Sequence, residues 1–215
     1  MMHTFMRRQF VTGFCILGLS LATTPIRAAG DTFKQSAELG KRTAKTSDDV
    51  DKYVAQIDKT EQALASVTQA QGKDLRKRYE SFSREINSLE EAQKQATSDI
   101  DQMKSTGSEY FSAWDTSITQ MSNPELKQAS TERRSKIMKD HDDLAASLND
   151  IGNQLQPFMS NLHDLKAFME TDLSPENIGK ASAMIQKSQS DALALKGKIA
   201  GVQATLKQFL NQAPK

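Results

Sequence analysis

At 215 residues, with 37% apolar and 26% charged side chains, the chain has room for one domain or one long bundle, but too little apolar content for a wide core. Its 28 basic and 27 acidic residues nearly cancel, which argues against the basic face of a nucleic-acid binder. A single cysteine, Cys15, excludes an intramolecular disulfide and a multi-thiolate metal site.

The first segment, residues 1–28, reads as a signal peptide. Arg7 and Arg8 precede an apolar core from Phe10 to Ala22, and Ile26-Arg27-Ala28 offers a cleavage sequence, with Gly30 as the alternative. The core is too short to span a bilayer. The run Arg7-Arg8-Gln9-Phe10-Val11 also resembles a twin-arginine signal, although Met6 stands where Ser or Thr is usual, so general secretion and twin-arginine export are both open. Cleavage removes Arg7, Arg8, Arg27 and Cys15, which leaves 25 basic against 27 acidic residues, a net charge of −2. Phe14 is too large for the position before a lipidated cysteine, so the expected location is the periplasm, without a lipid anchor.

Residues 29–46 form a polar N-terminal arm in which Phe33 and Leu39 are the bulky apolar groups, and their helicity is open. The bundle domain is expected over 47–211. Ser47-Asp48-Asp49 reads as an N-cap with acids in the first turn. Val50, Tyr53, Ile57, Leu64 and Val67 then line one face of a first helix, and Gln71-Gly72-Lys73-Asp74 is the turn after it. The second helix carries a 3-4 row from Leu75 to Met121, broken only by Gln93, Gly107 and Ser117. Asn123-Pro124-Glu125 caps and opens a third helix. Its seam begins with Leu126, Ser130 and Arg133 and becomes regular from Ile137, through His141, Leu144, Leu148, Ile151, Leu155, Phe158, Leu162, Leu165 and Met169. Pro157 should bend that helix without ending it, because the register continues past it. Ser174-Pro175-Glu176 opens a fourth helix, with a row from Ile178 to Phe209; Gly197 and Gly201 lie off this seam, where they would permit a close helix approach. Short turns between long helices make antiparallel neighbours. The predicted fold is all-α, an elongated antiparallel bundle of coiled-coil type with four helices and a protruding hairpin.

From Gly72 to Leu210 the chain resembles a bacterial family, the domain of unknown function DUF2959. The matching residues are Trp114, Ser122-Asn123, Leu126-Lys127 and Ser130, then Leu155-Gln156-Pro157, Leu162-His163-Asp164, Leu173 and Ile178. Two features depart from the family pattern: Glu170-Thr171-Asp172 replaces a basic stretch, and a lipidation box is lacking. The resemblance implies a helical envelope protein and implies no activity.

The residues do not spell a reaction. Gly72-Lys73, Gly179-Lys180 and Gly197-Lys198 lack the upstream glycine of a phosphate loop, and no Ser or Thr follows them. Within its own helix His141 meets Ile137, Met138, Leu144 and Ala145 at the offsets that bring side chains together, and His163 meets Met159, Ser160, Lys166 and Ala167, so neither forms a chelate there. His141 therefore reads as a seam residue, neutral or bonded across helices. The expectation is no enzyme activity, no cofactor and no metal. The function this points to is an exported structural or interaction protein that binds a protein partner or self-associates through helical surfaces, associated with the cell envelope. The alternative is a periplasmic bundle that binds a small ligand or metal, as a sensor or stress chaperone.

The candidate interaction surface is the far end of the second and third helices: Tyr110, Phe111, Trp114, Ile118, Met121 and Leu126. Pairing about Gly72 carries a first helix that starts at Ser47 only to about Thr97 of the second. Pairing about Ser174 sets Asn211 opposite Ile137. The far end would then present aromatics with too little cover. In the other arrangement residues 29–46 fold back as a helix and cover it.

Overall fold

The structure is a computed structural model that describes residues 25–212, with side chains from Asp31. Arg7, Arg8, Cys15 and the apolar core of the expected signal peptide lie outside the described residues, and residues 25–28 begin the first helix. Five helices follow one another: α1 (Pro25–Thr68), α2 (Lys73–Thr119), α3 (Pro124–Thr171), α4 (Pro175–Lys180) and α5 (Ser182–Gln212). They form one cyclic bundle in which α1 packs on α2 and α5, and α3 packs on the same two helices. The α1–α2 pair is the most extensive contact. The helix expected from Ser174 is interrupted at Ala181, whose backbone N–H bonds the carbonyls of Ile178 and Gly179, so that α4 is a single short turn before α5. No helix among the described residues is long and apolar enough to cross a membrane.

The turns form where the residues permit them. Gly72 has φ +56°, which a side chain resists, and it separates α1 from α2. Asn123 accepts a 3.0 Å bond from the Leu126 N–H and so starts α3, with Pro124 at its first position. Ser174 does the same for the Asn177 N–H at 3.2 Å. The Asn177 amide then donates to the carbonyls of Asp172 and Phe168, which ties the start of α4 to the end of α3. α3 continues through Pro157.

The seam of α3 from Ile137 onward and the seam of α5 are those expected. The expected first part of the α3 seam is corrected: Leu126 and Arg133 are exposed and Ser130 is half-buried, because among the described residues neither α1 nor α5 packs beside this stretch. Ile137, His141, Leu144, Leu148, Ile151, Leu155, Phe158, Leu162, Leu165 and Met169 are buried on α3. On α5 the buried row is Ile185, Ser188, Ala192, Leu195, Ile199, Val202, Leu206 and Phe209. The expectation for Gly197 and Gly201 is corrected, because both face open space. The close approach is at Gly107 of α2, where an added Cβ would lie 2.3 Å from His141 Nε2.

The expected start at Ser47 is also corrected. α1 runs through it, and Ser47 is a buried residue of its interior. A 3-4 row read without regard to hydrophobicity runs back from Val67 through Leu64, Thr60, Ile57, Tyr53, Val50, Thr46, Thr43, Leu39 and Ser36 to Thr32. Every one of these is buried except Thr32, which is half-buried. Serine and threonine hold helix-core positions here because their hydroxyls find acceptors: Thr43 Oγ1 donates to the Leu39 carbonyl at 2.8 Å and Thr60 Oγ1 to the Gln56 carbonyl at 2.9 Å.

Candidate functional site

The far end of the α2–α3 hairpin is assembled by three helices. α2 brings Tyr110, Phe111, Trp114 and Ile118 to one side, all of them buried. Tyr110 is tilted against Phe111 with ring centroids 5.2 Å apart, and against Trp114 at 5.4 Å. Trp114 is 9% exposed, and its indole N–H donates to Ser130 Oγ of α3 at 2.9 Å. Arg134 of α3 lies over the Phe111 ring at 5.9 Å and pairs with Asp115 at 2.5 Å. Met121 is half-buried in the turn after α2, and Leu126 is 64% exposed on α3. The structure thus brings four of the six candidate residues into one cluster and leaves Leu126 outside it.

The cover over the cluster comes from the arm, which is helical from the first described residue. Thr32 and Ser117 share a 2.9 Å hydrogen bond between hydroxyls. Ser36 bonds the Tyr110 hydroxyl, which burial pushes up to about 12, against the opposing effects of that bond and of the Arg133 charge. Arg42 reaches Gln102. Pairing about Gly72 therefore holds, but it continues to Ser117 because α1 is longer than expected.

Farther along the same interface lies a cluster that the sequence reading does not contain. Asp49 of α1 and Asp99 of α2 are both buried. Lys45 bridges them, at 3.0 Å to Asp49 and in direct contact with Asp99. Lys52 adds a 2.7 Å bond to Asp49, and Gln95 a 2.7 Å bond to Asp99. Burial acts to raise the Asp49 carboxyl, but the bonds donated by Lys52 and Lys45 and the Lys45 charge work against it, and the group is held well below the usual carboxylate range. The missed signal is the strict spacing of Thr43, Thr46 and Val50, which places Asp49 beside the seam and so makes Ser47-Asp48-Asp49 part of a helix interior.

His141 sits where α2, α3 and α5 meet. Its ring lies 5.5 Å from Phe111 and 5.9 Å from Phe209, and its Nε2 is buried against Gly107 without a hydrogen-bond partner. Its Nδ1 is 3.3 Å from Oδ1 of the next residue, Asp142. His163 instead pairs across helices, 2.8 Å from Glu90 of α2. Near the bundle centre a cavity of about 40 Å³ is lined by Val50, Tyr53, Gln93, Ile100, Leu148 and Ile151, among others. The Tyr53 hydroxyl is buried without a partner, and burial pushes its pKa upward.

No curated protein matches the chain, and no solved structure does. The family model described as "Protein of unknown function (DUF2959)" matches residues 34–212, which takes in all but the first turns of the bundle. The chain belongs to the DUF2959 family.

Proposed function

We propose that this protein is an exported, periplasmic helical protein of the cell envelope that binds a protein partner or self-associates through the far end of its α2–α3 hairpin. The observation that carries this reading is the uneven cover of that end. From Pro124 to Lys136 only Ser130 and Arg134 of α3 are half-buried, and every other residue is exposed. Leu126 stands 64% exposed on this segment and Phe33 of α1 68% exposed, whereas the neighbouring aromatics are packed away. The described part of α5 reaches only as far as His141, through Phe209. A helix segment with one neighbour and an exposed leucine is a surface suited to a further helix. The basic pair Arg7-Arg8 and the apolar core after it support export.

Two measurements test the reading. A photo-crosslinking residue at Leu126 should trap a second copy or a partner, while the same residue at the exposed Lys198 should not. Equal trapping at both positions, or none at either with a monomer by light scattering, overturns it. Mass spectrometry of the periplasmic fraction should find a mature chain that starts at Ala29 or within a few residues of it. An uncleaved chain confined to the cytoplasm overturns the export half.

A further inference from the structure

We propose that residues 31–49 of α1 form a releasable strap over α2, and that its release bares the helix face from Asp99 to Ser117 for an amphipathic helix of a partner. The second half of this statement rests on the reading of the far end as an interaction surface. The first half stands on the structure of α1 alone.

The two halves of α1 are held differently. Between residues 50 and 67 the buried residues include Val50, Tyr53, Ile57, Leu64 and Val67, with Thr60 as the buried polar one. Between 31 and 49 the single large apolar residue buried is Leu39, and beside it lie Ser36, Thr43, Thr46, Ser47 and Asp49. What fastens this half to α2 is a line of polar bonds: Thr32 to Ser117, Ser36 to Tyr110, Arg42 to Gln102, Lys45 to Asp99, and Thr46 Oγ1 to the Asp99 carbonyl at 3.2 Å. Water can replace each of these bonds when the strap leaves, so the net cost of exchanging them is small compared with that of exposing an apolar seam. The half nearest Gly72 has no such substitute and should remain docked.

Release would leave a defined surface behind. Asp99, Met103, Thr106, Tyr110, Ala113 and Ser117 follow one another at spacings of four and three on α2, the spacing that already holds a helix there, while Gly107 and Trp114 face His141 and Ser130 of α3. The strap is thus a helix occupying a helix-shaped slot, and a partner helix with larger apolar groups at the positions of Thr32, Ser36 and Thr43 would compete for it.

Thr43 and Thr60 supply a matched pair for the test. Both lie on α1, both are 0% exposed, and both hydroxyls bond the carbonyl four residues back. In a full-length Cys15→Ser background, Thr43→Cys should react with a thiol reagent under native conditions at least about tenfold faster than Thr60→Cys, with a rate that hardly responds to low denaturant, as local opening requires. Equal rates with equal denaturant dependence overturn the strap. Hydrogen exchange of the unmutated chain gives the same comparison without substitutions: amides of 31–49 should exchange ahead of those of 50–67. A third variant, Thr32→Cys with Ser117→Cys, clamps the strap. Its oxidation should slow exchange throughout 31–49, whereas slowing confined to the residues beside Thr32 would mean independent fraying and overturn release as a unit. The partner half has its own readout. If the strap opens but oxidation of the clamp leaves crosslinking at Leu126 unchanged, the slot is not where the partner binds, and the reading of Leu126 as an interface survives.

Discussion

The α3–α5 pair and the α1–α2 pair use the same 3-4 spacing but fill it with different side chains. Along α3 and α5 the seam is apolar at nearly every step, and only His141 and Ser188 interrupt it. Along α1 and α2 the seam alternates between apolar layers and layers of Ser36, Thr43, Thr46, Asp49, Thr60 and Asp99. Apolar layers supply stability in proportion to buried area and are indifferent to small rotations. Polar layers contribute less on balance, but each bond demands one partner and so fixes register. The bundle thus has a pair that holds it together and a pair that aligns it. The effect of a substitution should be large or small according to whether it enters an apolar or a polar layer.

The largest effect should come from a charge in an apolar layer. Ile151→Asp places a carboxylate among apolar side chains with no cation to meet it, and should cost more than about 4 kcal/mol or prevent folding. Leu89→Asp tests the buried apolar layer of α2 in the same way, since Leu89 is fully buried. Thermal melts followed by circular dichroism check both, and unchanged melting curves would place these residues outside the core.

Next in size is the contact between the two pairs. Gly107→Ala puts a Cβ 2.3 Å from the His141 ring, and that ring is flanked by Phe111 and Phe209 and cannot turn aside freely. Overpacking of this kind costs about 1–3 kcal/mol, against a helix-propensity gain of roughly 1 kcal/mol. The net expectation is a loss in the wild-type background. In His141→Ala the clash is gone, so the same Gly107→Ala change should become stabilising. The sign reversal, read by denaturant unfolding of the four variants, separates packing from propensity.

These residues also show which parts of the fold were legible in the sequence. The α3 and α5 rows could be read residue by residue because Leu, Ile and Phe recur at fixed spacing. The caps at Asn123 and Ser174 were legible because Asn-Pro and Ser-Pro carry their own geometry. The first half of α1 was not. Ser, Thr and Asp at seam positions look like caps and surface, and only their spacing shows that they are core. The Lys45 bridge between Asp49 and Asp99 depends on two helices coming into register, which no single stretch records. His141 and Gly107 appeared as two separate faults in two rows; the structure shows them to be one contact. The aromatic residues of the far end could be found by composition and position, but their cover came from the arm whose helicity was open.

The polar pair gives the third prediction. Asp49 is held below its ordinary value of 3.8, so its contribution to stability is present above that pH and is lost as pH falls through the folded-state value. Asp49→Asn should cost about 1–2 kcal/mol near neutral pH, since the Lys45 and Lys52 that pair with it are themselves largely in water. Below pH 3.8 the gap between variant and wild type should close. A gap independent of pH would mean that the Asp49 network aligns the helices without contributing charge-dependent stability.

Glu61 should give the smallest effect, and with the opposite sign. It lies on α1 facing α5, where Ser188 donates to its Oε1 at 3.0 Å and its Oε2 is buried without a partner. Burial raises its pKa, against the Ser188 bond and the Lys196 charge, while Asp191 adds to the rise. A carboxyl whose folded value is raised favours the folded state while it is protonated. Its contribution is therefore present below the ordinary value of 4.5 and is lost as pH rises through the folded-state value. Glu61→Gln keeps an oxygen for Ser188 and removes the charge that burial opposes. It should be nearly neutral at pH 4, where glutamate is largely uncharged, and stabilising by up to about 1 kcal/mol at pH 7. The change also removes the like-charge repulsion between Glu61 and Asp191. Melting temperatures of the two proteins at both pH values decide the matter. The difference, variant minus wild type, must grow with pH, whereas for Asp49→Asn it must become more negative. If both differences moved in the same direction, the polar groups on the α2 side and the α5 side of α1 would not differ in the way their partners require.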